Sequence, residues 1–172
     1  MQTESLIVAV VVQRREIASR WQTHQWQTLA VLADRPYPFT KPVCVSTPPE
    51  NTRWCHTGLE VRLHSEESEG YFLNCSAPTP CWFVMSRLEP IGAEEVMTPR
   101  SVTLSYNEAA RLMDGGEQVD TVALPAEIVE RLQAFVDAYY RPVEKRKRKK
   151  PSFEGGAGVA LMATAEASHG SK

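Results

Sequence analysis

A β-branched run near the start of the chain, "SLIVAVVVQ" from Ser5 to Gln13, constrains the fold more than any other feature. A helix needs about 20 apolar residues to cross a bilayer, and this run is much shorter. It also lacks the preceding positive charges and the small-residue cleavage pattern of a signal peptide. Valine and isoleucine favour strands, and an apolar run without alternation is typical of a strand covered on both faces. We therefore predict a buried first strand.

The next segments predict a second strand followed by a long loop. "WQTLAVLA", which begins at Trp26, has the composition of a strand. The twenty residues at 34–53 then contain five prolines. Proline cannot donate a backbone hydrogen bond and holds the preceding residue in an extended conformation. We therefore predict an irregular proline-rich loop at 34–53.

Beyond Trp54 the pattern changes to that of antiparallel hairpins. In "WCHTGLEVRLH" the side chains of Leu59, Val61 and Leu63 alternate and would share one face. The segments "EGYFLNCS", "CWFVMSRL" and "SVTLS" are predicted as further strands, because short connections suffice between antiparallel neighbours. This part of the chain is therefore predicted to form a β-meander.

Helices are predicted only near the end of the folded region. Ser105 and Glu108 match the S-x-x-E capping box, which indicates a short helix after Ser105. Pro125 suits the first position of another helix. The apolar residues that follow recur at helical spacing and form one stripe, made of Ile128, Val129, Leu132, Phe135, Val136, Tyr139 and Tyr140. We expect this amphipathic helix to end before Pro142 and to pack on the sheet.

These elements predict one α+β domain over residues 1–142. Its antiparallel sheet has five or six strands, either open or curled towards a barrel, and the C-terminal amphipathic helix covers it. Residues 143–172 of the 172-residue chain contain too little apolar sequence to build a core. They are predicted to be a basic, disordered tail.

Charge is distributed unevenly along the chain. Residues up to Tyr140 carry 11 Lys and Arg against 18 Asp and Glu, whereas Arg141 to Lys150 carry seven basic residues and one acidic one. A flexible basic run attracts phosphates, acidic lipids or an acidic protein face. One alternative function is therefore weak, nonspecific binding of nucleic acid or another anionic surface, through Lys145, Arg146, Lys147, Arg148, Lys149 and Lys150.

Polar residues are densest between Leu63 and Val84, "LHSEESEGYFLNCSAPTPCWFV". If the hairpins form as predicted, Cys75 lies opposite Cys81, and a metal or redox protein that uses this pair with Cys55 is a further alternative. The C-x5-C spacing lacks the second ligand pair that structural zinc sites commonly have, so no metal site is predicted. The glutamates are interpreted as a solvated turn and the thiols as small buried side chains. This stretch is predicted to serve the architecture.

The sequence contains no nucleophile elbow, phosphate-binding loop, dinucleotide fingerprint or HExxH motif, and we predict no cofactor. Tryptophan and arginine, by contrast, are enriched between the first two strands. These residue types dominate protein interfaces and also stack on single-stranded nucleic acid, whereas buried tryptophans simply fill a core. The candidate partner-binding residues are Arg14, Arg15, Arg20, Trp21 and Trp26.

Three landmarks taken in order carry a family resemblance: "RRE…RWQTHQWQTLAVL", "LHSEESEGYFLNCSAPTPCWFVMSR" and "VTLSYNEAARLMDGGEQVDTVALPAEI". They resemble an uncharacterised bacterial family, a domain of unknown function with the patterns L-H-x-x-E-x-x-G-Y-x-x-N and V-T-x-S-x-x-E-A. The likeness covers about Leu6 to Tyr140 and leaves out the basic tail. The matching residues are Trp21, Trp26, Leu63, His64, Glu67, Gly70, Tyr71, Asn74, Val102, Thr103, Ser105, Glu108, Ala109 and Pro125.

The resemblance also implies a function. Genes of this family tend to neighbour those of molybdenum-dependent formate dehydrogenases, and no catalytic residue is associated with the family. We therefore expect a non-catalytic accessory protein that binds another protein, with a formate dehydrogenase or its assembly factors as the partner. Four cysteines without an export signal favour a reducing cytoplasm.

Overall fold

A computed structural model describes residues 3–46 and 51–142 of the chain. This part contains seven strands and three α-helices, which confirms the α+β class. In chain order they are β1 (Thr3–Glu16), β2 (His24–Ala33), β3 (Val43–Ser46), β4 (Asn51–His64), a 3-10 turn (Ser65–Glu67), α1 (Ser68–Cys75), β5 (Cys81–Ile91), β6 (Glu94–Thr103), α2 (Tyr106–Asp114), β7 (Gln118–Ala123) and α3 (Ala126–Tyr139).

The strands form two antiparallel sheets. The first has the order β2-β1-β4-β3 and the second has the order β6-β5-β7. The prediction of a single meander, open or curled towards a barrel, is therefore wrong in its connectivity. The physical reason is that α1 separates β4 from β5, so the meander cannot continue from one sheet into the next.

The first strand lies in the centre of its sheet, between β2 and β4. Leu6, Val8, Val10 and Val12 point into the main core. On the other face Ala9 is only 1% exposed. Burying a valine or leucine side chain contributes roughly 1.5–3 kcal/mol. The predicted coverage of both faces is thus confirmed at the middle of the strand.

A bulge in β4 sets which of its side chains face the core. The register with β1 shifts between Val8, opposite Leu59, and Val10, opposite His56. Gly58 has a φ of 78°, a conformation that glycine adopts at little cost. Val61 and Leu63 reach the core cluster and Leu59 packs against it, as the alternation predicts.

The predicted loop at 34–53 is interrupted by secondary structure. Val43 and Cys44 pair with Cys55 and Trp54, and β4 already begins at Asn51. The apolar "VCV" sequence between the prolines is long enough for this short edge strand. Before it, the hydroxyl of Thr57 donates to the carbonyl of Phe39 at 3.0 Å and ties the proline-rich segment to β4. Residues 47–50 lie outside the described part.

The segment "EGYFLNCS", predicted as a strand, is helix α1. Gly70, Tyr71 and Asn74 are buried, and their spacing of one and three residues places them on one helical face. The period-2 alternation of a strand is absent from these burial positions. The prediction was wrong because it treated short connections as sufficient for a hairpin.

The two later helices agree with the sequence patterns. The Ser105 hydroxyl accepts a hydrogen bond from the Glu108 N–H, which confirms the predicted cap of α2. Helix α3 begins at Ala126, with Pro125 as its N-cap residue rather than its first residue. Its buried side chains belong to the predicted stripe: Ile128, Leu132, Phe135 and Val136.

A single core joins both sheets and α3. Val8 and Val10 of the first sheet, Trp82 and Val84 of the second, and Leu132 of α3 belong to one cluster of buried side chains. The described residues up to Pro142 form one compact unit. The tail predicted at 143–172 lies outside the described residues. No helix in the described part is long and apolar enough to cross a membrane.

Candidate functional site

The polar stretch after Leu63 packs against the end of β6 and the start of α2. We call this region, residues 63–75 together with 102–111, the junction. At its centre Gly70 lies against Ser105. A Cβ atom at position 70 would overlap the Ser105 hydroxyl oxygen and lie 3.3 Å from the Asn107 backbone nitrogen. Only glycine lets α1 approach α2 this closely.

Asn74 ties the end of α1 to two strands. Its amide nitrogen donates to the carbonyls of Cys81 and Leu104 at 2.8 and 2.9 Å, and its oxygen accepts from the Cys81 N–H at 3.0 Å. The side chain is only 1% exposed. Because buried amides are costly when unpaired, these three bonds fix the position of α1.

Glu67 was predicted to lie in a solvated turn, and this prediction is wrong. One carboxylate oxygen accepts from the Ser105 hydroxyl at 2.9 Å, and the other accepts from the Arg111 guanidinium at 2.8 Å. Glu66 and Glu69 are exposed, as predicted. The glutamate that matches the family pattern is therefore the one that bridges the 3-10 turn to α2.

The second family pattern forms its own set of contacts. The Thr103 hydroxyl donates to the Glu108 carboxylate at 2.6 Å and accepts from the Ser105 N–H at 3.0 Å. Glu108 thus binds Thr103 instead of returning to the N-cap residue as in a capping box. The side chains of this pattern hold the end of β6 against the first turn of α2.

Tyr71 anchors α1 in the core. Its hydroxyl accepts a hydrogen bond from the His64 N–H at 3.1 Å, and its ring meets Phe135 edge to face at 5.7 Å. Burial raises the pKa of Tyr71 to about 12. The hydroxyl therefore stays protonated at neutral pH and serves packing and hydrogen bonding.

The residues of the two family patterns therefore meet at the junction, whereas Trp21, Trp26 and Pro125 lie outside it. Glu67 and Gly70 from the first pattern contact Ser105, and Asn74 bonds to Leu104, both within the second, whereas Tyr71 contacts His64 and Phe135. These side-chain polar groups are occupied by partners within the chain. The interpretation of the stretch as architecture agrees with these contacts, although the chain reverses through a helix and not through two hairpins.

The cysteines do not form the predicted cross-strand pair. Cys75 ends α1 and Cys81 begins β5, so they do not lie opposite each other on neighbouring strands. Burial raises the pKa of the Cys55, Cys75 and Cys81 thiols, which disfavours the thiolate form that binds metals. All four cysteines are free, and within residues 3–46 and 51–142 no group of three or more His, Cys, Asp or Glu side chains could hold a metal ion.

The two candidate tryptophans have different environments. Trp21, in the connection between β1 and β2, is 91% exposed, whereas Trp26 on β2 is 8% exposed and belongs to the core. Arg14 lies 4.0 Å from Glu94. Arg15 and Arg20 are exposed and make no ion pair with any described residue.

The edges of β2 and β7 lie against each other. We call this line of contact between the two sheets the seam. The Thr28 N–H and hydroxyl both donate to one carboxylate oxygen of Asp120, at 2.9 and 2.8 Å. The single charged side chain in "QVDTVA" was the signal in the sequence that could have indicated such a contact. It did not indicate the partner, 92 residues earlier.

Two grooves lie on either side of this contact. The tryptophan groove has a volume of about 570 Å³ and is lined by Trp21, Trp26, Leu88, Met97 and Gln118 among others. The edge groove has a volume of about 500 Å³, and its lining includes Leu29 to Arg35 and Val122 to Pro125. The proposed anion-binding residues Lys145 to Lys150 lie outside the described part of the chain.

The fold and the site define an α+β protein with a hydrogen-bonded junction and two open surface grooves. A family described as "Protein of unknown function (DUF3305)" matches residues 7–149, so the chain belongs to this family. The match extends past Tyr140 into the basic segment, which the resemblance left out. No curated protein and no solved structure matches the chain.

Proposed function

We propose that this chain is a non-catalytic accessory protein that binds another protein through the tryptophan groove. The observation that carries the proposal is the 91% exposure of Trp21. An indole in water gains no burial energy, whereas tryptophan is among the residues that contribute most when buried at the centre of an interface. Trp21 therefore contributes little to the folded monomer and is available to a partner.

The groove beside Trp21 offers further apolar surface. Leu88 on β5 is 51% exposed, and Met97, its neighbour on β6, lines the same groove. Exposed apolar side chains that cluster together mark interaction sites more often than single ones do. The groove thus suits a partner that places an apolar side chain next to the indole.

Two positive side chains adjoin residues that line the groove, because Arg20 precedes Trp21 and Arg15 pairs with Gln25. Arg15 and Arg20 are exposed and lack acidic partners within the described residues. Positive side chains at the rim of an interface favour a partner with acidic side chains and accelerate its association. We therefore propose a partner surface that combines an apolar centre with acidic residues.

The resemblance supplies the proposed identity of that partner. By likeness to proteins whose genes neighbour those of molybdenum-dependent formate dehydrogenases, we propose a formate dehydrogenase or one of its assembly factors, and an encounter in the cytoplasm.

The experiment compares two exposed aromatic residues. The tagged chain, its Trp21→Ala/Arg20→Ala variant and a Tyr106→Ala control are purified from the native host, and bound proteins are quantified by mass spectrometry. Tyr106, which is 50% exposed on α2, lies outside the tryptophan groove. A hot-spot tryptophan contributes about 2 kcal/mol or more, so capture of the partner should fall at least about tenfold for the double variant alone.

The melting temperature of the double variant should be unchanged, because Trp21 and Arg20 are exposed, whereas Tyr106→Ala loses an edge-to-face contact with Phe83 and should melt slightly lower. Equal capture of every bound protein by the double variant and by the unmodified chain would contradict the proposal. Recovery of a formate dehydrogenase or an assembly factor tests the identity of the partner separately.

A second candidate function rests on the basic segment. The family match includes Lys145 to Lys149, so this segment belongs to the matched region. We propose that it binds anionic surfaces such as nucleic acid. The affinity of the full chain for single-stranded DNA should fall steeply with added salt and be lost on truncation after Pro142. Salt-insensitive binding by the truncated chain would contradict this function.

A further inference from the structure

The outer edge of β2 carries backbone groups that no strand pairs with. The Asp34 N–H donates to the Ile7 carbonyl at 3.1 Å, and Ala33 lies opposite Val8. Hydrogen-bonded and non-hydrogen-bonded pairs alternate along antiparallel strands. The N–H and C=O groups of Ala33 and Val31 therefore point away from β1. Since β2 is an edge strand, these groups face the edge groove.

The same reasoning applies to the opposite wall of the groove. The Leu124 N–H donates to the Pro80 carbonyl at 2.9 Å, and the next pair is Ala123 with Cys81. The N–H and C=O of Ala123 therefore point away from β5. Since β7 is also an edge strand, both long walls of the groove present unpaired backbone donors and acceptors.

The side chains of the edge groove are mostly apolar. Val31 and Leu32 on one wall face Val122 and Leu124 on the other, and Ile128 of α3 closes the base. Arg35 and Glu127 supply charges at its mouth. An extended peptide in this groove could therefore form backbone hydrogen bonds along its length. Every second side chain of the peptide would pack on apolar surface.

The edge of β2 lacks the protection that other edges of the two sheets have. The edge strand β3 has four residues and follows Pro42. The edge strand β6 begins with Glu94 and Glu95 and contains Pro99 followed by Arg100. Between Leu29 and Ala33, β2 contains neither a charge nor a proline. An unprotected edge pairs readily with another strand, and proteins usually block such edges.

We propose that the edge groove binds an extended peptide segment of a partner protein, which adds a strand to the first sheet at Val31 and Ala33. The segment carries apolar side chains at alternate positions, which pack on Val122 and Ile128. A volume of about 500 Å³ holds a few residues of one chain. The wall formed by β7 and α3 excludes the whole sheet edge that a second copy would bring. This surface is separate from the tryptophan groove.

The first test requires no knowledge of the partner. Linear seven-residue peptides are selected from a phage-displayed library against the full chain, and amide hydrogen exchange is followed by NMR. In the free chain the Val31 and Ala33 amides should exchange faster than that of Leu32, which bonds to β1. A bound peptide should slow Val31 and Ala33 at least about tenfold, and the selected sequences should alternate apolar and polar residues.

Substitutions in the protein and methylated versions of the selected peptide complete the test. Ala33→Pro removes a donor that β1 does not use, so proline is tolerated there, and it should weaken binding of the selected peptide at least about tenfold. Ala33→Ser keeps the N–H and is the matched control. Methylating the peptide nitrogens that face β2 should abolish binding, whereas methylating the alternate nitrogens, which face the shorter strand β7, should weaken it less. These peptides leave the protein unchanged, so they decide the question even if Ala33→Pro unfolds.

Three outcomes would overturn the proposal. The selection could yield no peptide, or the selected peptides could bind while the Val31 and Ala33 amides keep their exchange rates. The two amides could also slow in the free chain as its concentration rises, which would identify a second copy as the occupant. None of these outcomes bears on the tryptophan groove, so the two proposals stand or fall separately.

Discussion

The junction and the seam are both places where separate elements of the chain meet, but they are built differently. At the junction Gly70, Asn74 and Glu67 are fitted to their neighbours by close contact or by hydrogen bonds. At the seam a single side chain, Asp120, connects two strand edges, and open grooves flank it. At the junction the polar groups are paired within the chain, whereas at the seam parts of both strand edges stay open to solvent.

This difference separates residues that define the fold from residues that we propose bind other molecules. The polar residues of the family resemblance lie at the junction, where their hydrogen-bonding capacity is used within the chain. The seam carries few of them, but the grooves beside it expose Trp21 and the unpaired edge of β2. A dense polar motif can therefore mark the most demanding packing in a domain instead of its reactive site.

The largest expected effect is at the closest contact of the junction. Gly70→Ala places a methyl group against Ser105, and overpacking of this kind should lower the free energy of unfolding by about 3 kcal/mol or more. Gly92→Ala is the control, because Gly92 has a φ of 63° and open space around it, so only backbone strain of about 1 kcal/mol arises. Urea denaturation measures the free energy of unfolding of both variants.

A double-mutant cycle sharpens this result. In a Ser105→Ala background the hydroxyl oxygen is gone, so Gly70→Ala should be less destabilising than in the unmodified chain. Equal losses in both backgrounds would show that the junction is not held by this contact.

The next effect concerns Asn74. Asn74→Ala leaves the Leu104 and Cys81 carbonyls and the Cys81 N–H without their partner in a buried site, which should cost about 3 kcal/mol. Asn107→Ala is the matched control, because that side chain makes no hydrogen bond with the described residues. Equal melting temperatures for Asn74→Ala and Asn107→Ala would show that the hydrogen bonds of Asn74 do not stabilise the junction.

Tyr71 predicts a dependence on alkaline pH. Its pKa is raised from 10.0 to about 12 in the folded chain, so the unfolded state loses its proton first. The stabilisation is complete below pH 10 and is lost as the pH rises through about 12, by roughly 3 kcal/mol. Tyr71→Phe should lack this decline and Tyr106→Phe should keep it. The free energy of unfolding is measured against pH. If it declines equally in Tyr71→Phe and in the unmodified chain, Tyr71 is not the group responsible.

The smallest effect is expected at the seam. Asp120→Ala removes both hydrogen bonds to Thr28, at a cost of about 1.5 kcal/mol. Faster amide exchange should be confined to Thr28 and the neighbouring residues of β2 and β7, since the lost hydrogen bonds link only these two strands. Thr121→Ala, an exposed neighbour on β7, is the control. Faster exchange throughout α1 would show that the seam and the junction are not independent.

Local patterns in the sequence predicted the elements that depend on local physics. The β-branched run of β1, the stripe of α3 and the Ser105 cap each act within a few residues, and each is confirmed. Helix α1 was missed because its eight residues follow a burial pattern set by α2 and α3. The candidate site follows the same rule. Exposed Trp21 could be chosen by residue type, whereas the Glu67–Ser105 bond joins residues 38 positions apart.

The position of β1 also has a consequence during synthesis. Its neighbour β2 follows at once, but β4 pairs with it about 50 residues later, as Val8 with Leu59 shows. At roughly 5–20 residues per second, the second side of β1 stays open for about 3–10 s on the ribosome. A nascent chain with an open valine-rich strand is a natural substrate for chaperones. Synonymous codons that slow translation before Leu59 should therefore increase aggregation of the newly made protein.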